Sequence, residues 1–379
     1  ITFSFRSTNH YYWKTQPTAD DPMSDVPFRT IHEIIRAARL NLNQTDWDYL
    51  VGGSDTEATV KRNRLAIDSK ALSPKVLNDV SEIDISSSIL GRHLSIPVML
   101  APIGSLEVFS PGGGATAAIA AAEAGILSIA SSLCSPTIEE IAAASDAAKI
   151  YQLYVRGDEI WVDDIIRRVV SSGYDGFCLT VDTSVVSRRE RDIAKRVIPT
   201  SQPSEGDFIY QAKLNWADVA RIRDKFDIPL ILKGISRIED AVKAVELGIE
   251  VIYVSNHGGR QLDQGPGAMD ILPGIAREVG DRASIVVDGG FYRGTDILKA
   301  MALGATAVGL GRLQVWALAA GGAPALVSCM RILKHEIKTA LALCGVSGFS
   351  GLDESFVIDA PVTVTPDVFS AFPLLNLED

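Results

Sequence analysis

Between residues 97 and 312 the chain repeats one pattern: a short apolar run, a polar or glycine-rich corner, then a helix-like stretch. The runs do not alternate with polar residues, which is typical of parallel strands buried on both faces. Eight runs follow one another, at Pro97–Ala101, Leu127–Ala130, Ile150–Val155, Phe177–Val181, Pro229–Leu232, Val251–Val254, Ile285–Val287 and Ala307–Leu310. Eight strand–helix units predict an α/β fold, the (β/α)8 TIM barrel. A doubly wound sheet is the alternative, but it usually has fewer strands and a glycine-rich first turn, where this chain reads APIGSLE.

Capping residues predict where the barrel helices begin and end. Ser135-Pro136 predicts a helix start with proline in the first turn. Ser236 with Glu239 matches a capping box. Three glycines that end helix-like stretches predict left-handed C-terminal caps, namely Gly125, Gly248 and Gly304.

The segments outside the barrel are predicted to flank it. We expect residues 1–27 to be an irregular extension without a secretory signal, and residues 28–379 to form one domain. Helices are predicted at Thr30–Leu40, at Asp46–Leu50 and, as one or two long helices, at Trp316–Leu343. From Ser347 onward the chain reads as an irregular tail.

Composition narrows the class of protein. The 379 residues include 36 Lys and Arg against 47 Asp and Glu, a net charge of −11, which argues against nucleic acid as a partner. No apolar run of about 18 residues is evident, so no membrane-spanning helix is expected. The four scattered cysteines form no CxxC pair, which favours a reducing, cytoplasmic location and argues against a metal site.

Polar and ionisable residues follow at least six of the eight predicted strands. Barrel enzymes place their function at this C-terminal face, on the loops that lead from strand to helix. The residues concerned are Gln152, Tyr154, Thr180, Asp182, Arg188, Arg189, Lys233, the run Ser255–Arg260, Asp288, Gly289, Gly290, Gly311 and Arg312. We therefore expect the active site on this face.

The corners after strands 7 and 8 predict an anion site. They read DGGFYRG and GLGR, and combine glycines, whose backbone N–H groups can approach an anion, with Arg293 and Arg312. Barrels commonly hold a phosphate at these two loops. The paired corners therefore favour a phosphate-containing ligand over simple tight turns.

His257 is the candidate general base because its imidazole titrates near neutral pH and it lies at a strand end beside two glycines. A nearby carboxylate such as Asp182 could orient it. Arg189 and Arg260, from separate loops, could clamp a carboxylate bidentately. Lys233 is either a snorkelling barrel residue or a buried cation beside a developing negative charge.

These motifs together resemble the FMN-dependent α-hydroxy-acid oxidase/dehydrogenase family, which includes glycolate oxidase, lactate oxidase and mandelate dehydrogenase. The resemblance covers roughly residues 28–355. Its most specific part is SNHGGRQLD at Ser255–Asp263, supported in order and spacing by YQLYV, LTVDT, LKGI and DGG…RGTD. The resemblance implies FMN as cofactor and oxidation of an L-2-hydroxy acid to the 2-oxo acid.

It also implies a role for each matching residue. His257 would take the substrate's proton with Asp182 paired to it, and Tyr154 would contact the reacting hydroxyl. Tyr49, Arg189 and Arg260 would hold the carboxylate, and Lys233 would stabilise the reduced flavin. The remaining implied FMN contacts are Pro102, Ile103, Gly104, Ser131, Gln152, Thr180, Ser255, Asp288, Gly289, Gly290, Arg293, Gly311 and Arg312.

The chain departs from the family pattern at several positions. Tyr292-Arg293 replaces two arginines, which affects one phosphate contact, and Leu313 replaces a frequent proline. Leu133 replaces a bulky aromatic residue and predicts a roomier pocket and a substrate larger than glycolate. The loop at residues 198–214 is predicted to be short.

Other functions compete with this interpretation. GFYRGTD and GLGRLQ are also similar to the branch that oxidises the amine-bearing precursor of mycofactocin, a C–N oxidation with the same flavin. A flavin-free phosphate-binding barrel enzyme and a non-catalytic binding protein are further alternatives. The leading hypothesis requires a small-molecule substrate and O2 or another electron acceptor, and includes a homo-oligomer, either a tetramer or an octamer.

Overall fold

A closed barrel of eight parallel strands forms the centre of the computed structural model, which describes residues 27–196 and 208–375. The eighth strand pairs with the first, where Val308 lies beside Val98, so the sheet closes. The (β/α)8 prediction is therefore confirmed. The strands are Val98–Leu100, Leu127–Ser131, Lys149–Leu153, Gly176–Thr180, Leu230–Ile235, Val251–Val254, Ser284–Val287 and Ala307–Leu310.

Successive residues of each strand point to the barrel interior or to the surrounding helices. Met99, Cys178 and Tyr253 lie in the interior cluster, whereas their neighbours Val98, Leu100 and Leu179 pack with the helices. Both faces are buried, which explains why the strands read as continuous apolar runs.

Fourteen helices are present among the described residues. Most follow a barrel strand and cover its outer face. Their bounds are Ile31–Asn41, Gln44–Val51, Ala58–Asp68, Leu106–Phe109, Gly113–Ala124, Ile138–Ala143, Glu159–Ser171, Glu190–Ala194, Phe208–Lys213, Trp216–Lys225, Ile238–Glu246, Ala268–Val279, Gly294–Ala302 and Arg312–Cys344. Short 3-10 turns occur at His257–Gly259, Phe349–Gly351 and Glu354–Phe356.

Two predicted helix starts are wrong. The helix Ile138–Ala143 is capped by Thr137, whose side chain forms a capping box with Glu140, and not by Ser135. The helix Ile238–Glu246 begins after Arg237 and has no side-chain cap. The three predicted glycine caps are confirmed: the backbone takes positive φ at Gly125 (68°), Gly248 (79°) and Gly304 (97°).

Segments from both ends of the chain pack against the barrel. The first helix lies against the last, where the Asn41 amide donates to the carbonyls of Ala319 and Ala320. The tail is not wholly irregular as predicted, since Val357–Asp359 pairs antiparallel with Lys70–Leu72. A second two-stranded sheet joins Ser87–Ile89 to Arg92–Leu94. Residues 1–26 of the extension predicted at 1–27, and most of the loop at 198–214, lie outside the described residues.

The last helix, Arg312–Cys344, is long and apolar enough to cross a membrane by length and composition, contrary to the expectation from the sequence. In the structure 72% of its apolar window is buried. The helix also breaks at Gly321 and Gly322, which have non-helical dihedral angles, so two helical segments form as the sequence allowed. Its hydropathy is thus that of a helix packed within a protein core.

Candidate active site

A cavity opens at the C-terminal ends of the barrel strands, with about 1210 Å³ of empty space including its mouth. Most of the residues predicted to form the site line it. They are Tyr49, Pro102, Ile103, Gly104, Leu133, Tyr154, Arg189, Lys233, His257, Arg260, Asp288, Gly289, Gly290, Gly311 and Arg312. Parallel strands bring these side chains together because all their carboxyl ends meet at one rim.

His257 is held at the cavity by its backbone and by both ring nitrogens. It begins a tight turn in which His257 and Gly258 both have positive φ, at 59° and 63°. Its Nδ1 lies 2.9 Å from Oδ1 of Asp182, and its Nε2 lies 3.2 Å from the Tyr154 hydroxyl. Because a carboxylate only accepts hydrogen bonds, Nδ1 carries the proton and Nε2 presents its lone pair.

The surroundings of His257 keep its ring neutral. Burial lowers the pKa of His257, Asp182 raises it and the Lys233 ammonium lowers it again, with the net result below the usual value. Burial alone would raise the pKa of Asp182, but His257 and Lys233 hold it below its ordinary range. At neutral pH the pair is therefore a neutral imidazole hydrogen-bonded to a carboxylate, which is the state a general base requires.

Gly234 makes this pairing possible. Its φ is +110°, and a Cβ built there would lie 2.5 Å from the Cβ and Cγ of Asp182. Only glycine combines that dihedral angle with that close approach. The missing side chain at Gly234 thus leaves the space that Asp182 needs to reach His257.

Two arginines flank one aromatic ring in the cavity wall. The guanidinium carbon of Arg260 lies 4.8 Å from the centre of the Tyr49 ring, and that of Arg189 lies 5.8 Å from it. Arg260 is anchored by the carbonyls of Tyr49 and Gly52, at 2.7 and 2.9 Å. Burial and the nearby Arg189 lower the pKa of Arg260 below its ordinary range. Two cations side by side at the cavity suit an anion, and they are the two arginines that the sequence analysis paired.

Lys233 is buried, with 4% of its surface exposed, so it is the buried cation and not a snorkelling residue. Its Nζ donates to Ser255 Oγ at 3.0 Å and lies 3.4 Å from Oδ2 of Asp288. Ser255 in turn donates to Asp288 and accepts from the backbone N–H of His257. This network joins the lysine to the histidine turn.

The other end of the cavity suits a phosphate. Gly289 and Gly290 have positive φ, and a Cβ on Gly311 would meet open space, so a ligand can approach the backbone closely at Gly311. The Arg312 guanidinium bonds the carbonyls of Gly258 and Gly52, while its buried Nε has no partner among the described residues. Glycine-rich backbone beside an incompletely paired guanidinium fits the phosphate of FMN.

Four predicted cofactor residues lie at the strand ends but do not line the cavity themselves. Ser131 donates to the Gln152 amide oxygen at 2.9 Å, and the Gln152 amide nitrogen donates to Thr180 at 2.9 Å. Ser255 belongs to the lysine network described above. The donor and acceptor atoms of this buried polar layer suit the polar edge of a flavin or its ribityl chain.

Arg293 does not reach the site, and its predicted phosphate role is not supported by its position. Its guanidinium pairs with Glu336, 2.5 Å from Oε1, on the outer side of the barrel. Tyr292 takes the place at the cavity instead, stacked beneath Arg64, which is 5.4 Å from its ring centre. Tyr292 and Arg293 are adjacent and point in opposite directions, so only one of them can face the cavity.

Sequence reasoning missed several cavity residues. Thr183 approaches His257 Nδ1 at 3.4 Å, and Phe109, Val186 and Phe208 form an apolar part of the wall. Thr183 ends the LTVDT motif and could have been found there. Phe109 and Phe208 lie at the ends of short helices and Val186 lies in a loop, and segments this short carry no periodic signal.

Fold and site together define a (β/α)8-barrel enzyme whose cavity has the room and the positive charge for an anionic cofactor. A family described as FMN-dependent dehydrogenase matches residues 38–206 and 199–359. The chain belongs to this family, as its motifs predicted, and is an FMN-dependent oxidoreductase.

Relatives of known structure or function agree with this assignment. L-lactate oxidase of Nostoc sp. (strain PCC 7120 / SAG 25.82 / UTEX 2576) is 36% identical over 86% of this chain and 97% of its own length. A peroxisomal (S)-2-hydroxyacid oxidase of Arabidopsis thaliana is 35% identical over 83% of this chain and 92% of its own. A crystal structure of mandelate oxidase superposes with a TM-score of 0.81 at 35% identity, covering 86% of this chain and 96% of its own.

The different placements of Arg312 and Arg293 predict different effects on FMN affinity. Arg312→Ala should weaken FMN binding by about 10- to 100-fold, because a charge-assisted hydrogen bond contributes about 1.5–3 kcal/mol. Arg293→Ala, the matched control, should leave the dissociation constant within about threefold. Quenching of FMN fluorescence by the apoprotein measures both. Equal losses in the two variants would contradict this view of the corner.

Proposed function

We propose that this enzyme oxidises an L-2-hydroxy acid larger than glycolate to the corresponding 2-oxo acid. The observation that carries the proposal is the meeting of a neutral imidazole, His257, with two cationic guanidiniums, Arg189 and Arg260, on one cavity. A carboxylate held by the arginines places its α-carbon and hydroxyl within the reach of a base. The printed names of the relatives, lactate oxidase, (S)-2-hydroxyacid oxidase and mandelate oxidase, support this substrate class.

The arginines bind and orient the substrate. Arg260 is fixed by two backbone carbonyls, and both guanidiniums pack on the Tyr49 ring, which limits their freedom. A planar fork held in this way binds a carboxylate bidentately. The lowered pKa of Arg260 shows that its charge is destabilised without an anion, and a bound carboxylate restores it.

His257 takes the proton of the reacting group on Nε2. Asp182 holds Nδ1 and stabilises the imidazolium that forms, as a buried carboxylate does beside a histidine base. Tyr154 donates to Nε2 in the free enzyme, and its pKa is raised by burial and by Asp182, so its hydroxyl stays protonated. Tyr154 is thus placed to donate to the substrate's oxygen once the substrate displaces it from Nε2.

FMN, when bound, accepts the two electrons that leave the substrate. Pro102, Ile103 and Gly104 line the cavity where the flavin ring would lie, and Gly311 and Arg312 line its phosphate end. Lys233 adds a buried positive charge to the floor, which favours negative charge on the reduced ring.

The substrate's side chain would contact an apolar wall. Leu133, Phe109, Val186 and Phe208 lie around the same cavity as the arginines. Such a wall accepts an alkyl or aryl group and offers no partner for a charged one. The proposal also includes O2 or another electron acceptor, a homo-oligomer and a cytoplasmic location, the last supported by four free cysteines.

A substrate panel tests the function. Anaerobic FMN bleaching should be faster with 2-hydroxy acids that carry alkyl or aryl side chains than with glycolate, because only they fill the apolar wall. Bleaching by amines alone would refute the 2-hydroxy acid and favour C–N oxidation. A protein that purifies without flavin would contradict the assignment itself.

Leu133→Trp tests whether position 133 limits the size of the substrate. The larger side chain should lower kcat/KM for the bulky acids by at least about tenfold, since a misfit in an apolar pocket costs on that order, while glycolate is little affected. An unchanged preference would show that Leu133 does not contact the substrate.

Another prediction concerns the base. His257→Gln should retain FMN but slow its reduction by the substrate by about 10²- to 10⁴-fold, the range that general base catalysis contributes. Stopped-flow absorbance under anaerobic conditions measures this rate. His335→Gln, which changes an exposed histidine on the last helix, is the matched control and should reduce normally. A rate in His257→Gln equal to the control's would remove His257 from this role.

A further prediction is an acid limb in the pH dependence of kcat/KM. Activity should fall below pH 6.5, where His257, with its lowered pKa, gains a proton and can no longer act as a base. A guanidinium keeps its charge across this range, so the limb belongs to the histidine and not to Arg260. Initial rates of flavin reduction at a series of pH values measure the profile. The acid limb should vanish in His257→Gln, and its persistence there would assign it to another group.

A further inference from the structure

Tyr253 is a fully buried tyrosine inside the barrel that takes no part in the proposed reaction. None of its surface is exposed, and its hydroxyl forms no hydrogen bond of normal geometry among the residues the structure describes, although the Asp288 carboxylate lies close enough to interact with it. An unpaired buried hydroxyl is costly, whereas phenylalanine fills nearly the same volume without that cost. The position of the ring therefore needs a physical explanation.

The chain makes room for this ring on a neighbouring strand. A Cβ built on Gly309 would lie 1.9 Å from the Tyr253 hydroxyl and 2.9 Å from its Cζ. Any other residue at 309 would thus displace the ring. Gly309 and Tyr253 form a complementary pair, in which a large side chain from the sixth strand fills the space left on the eighth.

The face of the ring supports the Lys233 ammonium. Nζ lies 5.1 Å from the ring centre, within the range of a cation–π contact. An ammonium has three N–H groups, and Lys233 directs two of them at Ser255 and Asp288. Lys233 also lines the cavity, where the third is available.

The order of residues along the sixth strand shows on which side of the Lys233 ammonium the Tyr253 ring lies. Tyr253 and Ser255 are two residues apart, so they share the inward face of the strand, with Ser255 nearer the C-terminal rim. The ammonium is therefore held between a ring on the interior side and a hydroxyl on the rim side. The ring prevents the lysine from withdrawing into the barrel.

We propose that Tyr253 is a positioning residue that uses its ring face, and not its hydroxyl, to hold the Lys233 charge at the floor of the FMN site. This inference rests on the role of Lys233 in the proposed function. Buried positive charge at the floor stabilises the reduced cofactor, so the ring raises the reduction potential of bound FMN.

The midpoint potential of FMN in the holoenzyme tests the proposal without any substrate. Tyr253→Leu removes the aromatic face and should lower the potential by about 30 mV or more, which is a tenfold change for a two-electron couple. Tyr253→Phe keeps the face and should keep the potential, with an unchanged or higher Tm because an unpaired hydroxyl is removed. Equilibration with a reference dye measures the potentials.

A fluorinated ring separates charge from volume, in case Tyr253→Leu does not fold. Trifluorophenylalanine at position 253 fits the same space as phenylalanine but has an electron-poor face, and should lower the potential relative to Tyr253→Phe. Equal potentials for the two rings would overturn the proposal. A fall in Tyr253→Phe as large as in Tyr253→Leu would also overturn it, since the hydroxyl would then be responsible.

Lys233→Met distinguishes this inference from the function on which it rests. It should lower the potential more than any Tyr253 variant, because it removes the charge itself. If Lys233→Met leaves the potential unchanged, Lys233 does not face the cofactor. The proposed role of Lys233 and that of Tyr253 are then both refuted. If Lys233→Met lowers the potential but the Tyr253 variants do not, only the role of Tyr253 is refuted.

Discussion

Closure of the barrel is the constraint on which the site depends. The N–H of Val308 donates to the Pro97 carbonyl, and that of Ala101 donates to the Leu310 carbonyl, so the two ends of the barrel segment meet side by side. Closure leaves no free strand edge and directs every strand's carboxyl end to one rim. His257, Asp182 and Lys233 come from three different strands and meet only because of it.

Electrostatic imbalance at that rim follows from the placement of the charges. Lys233 has Asp288 as partner and His257 has Asp182, whereas Arg260 is anchored by carbonyls and lies beside a second arginine. Buried cations without an acidic partner are unfavourable until an anion binds. This imbalance makes the cavity attractive to carboxylate and phosphate groups.

The segment before the barrel completes the site. The carbonyl of Gly52 accepts hydrogen bonds from both Arg260 and Arg312, and so links the arginine at the substrate end with the one at the phosphate end. Close packing of this segment on the histidine turn requires glycine at 259, where a Cβ would lie 2.7 Å from the Val60 backbone nitrogen. A region without barrel strands therefore sets the geometry of the arginines and of Tyr49.

Much of the fold and of the site could be predicted from the sequence, because buried strands and tight turns each require particular residues within a short segment. The apolar runs, the glycine caps and the SNHGGRQLD motif determined the barrel, the family and the residues that line the cavity. Tertiary structure alone decided which neighbours face inward: Arg293 turns to Glu336 on the last helix, and Tyr292 takes the cavity side. It likewise decided that Thr137 and not Ser135 caps its helix, and that Tyr253 fills the gap at Gly309. These outcomes depend on contacts with residues that are distant in the sequence. A local pattern of residues contains no information about such contacts.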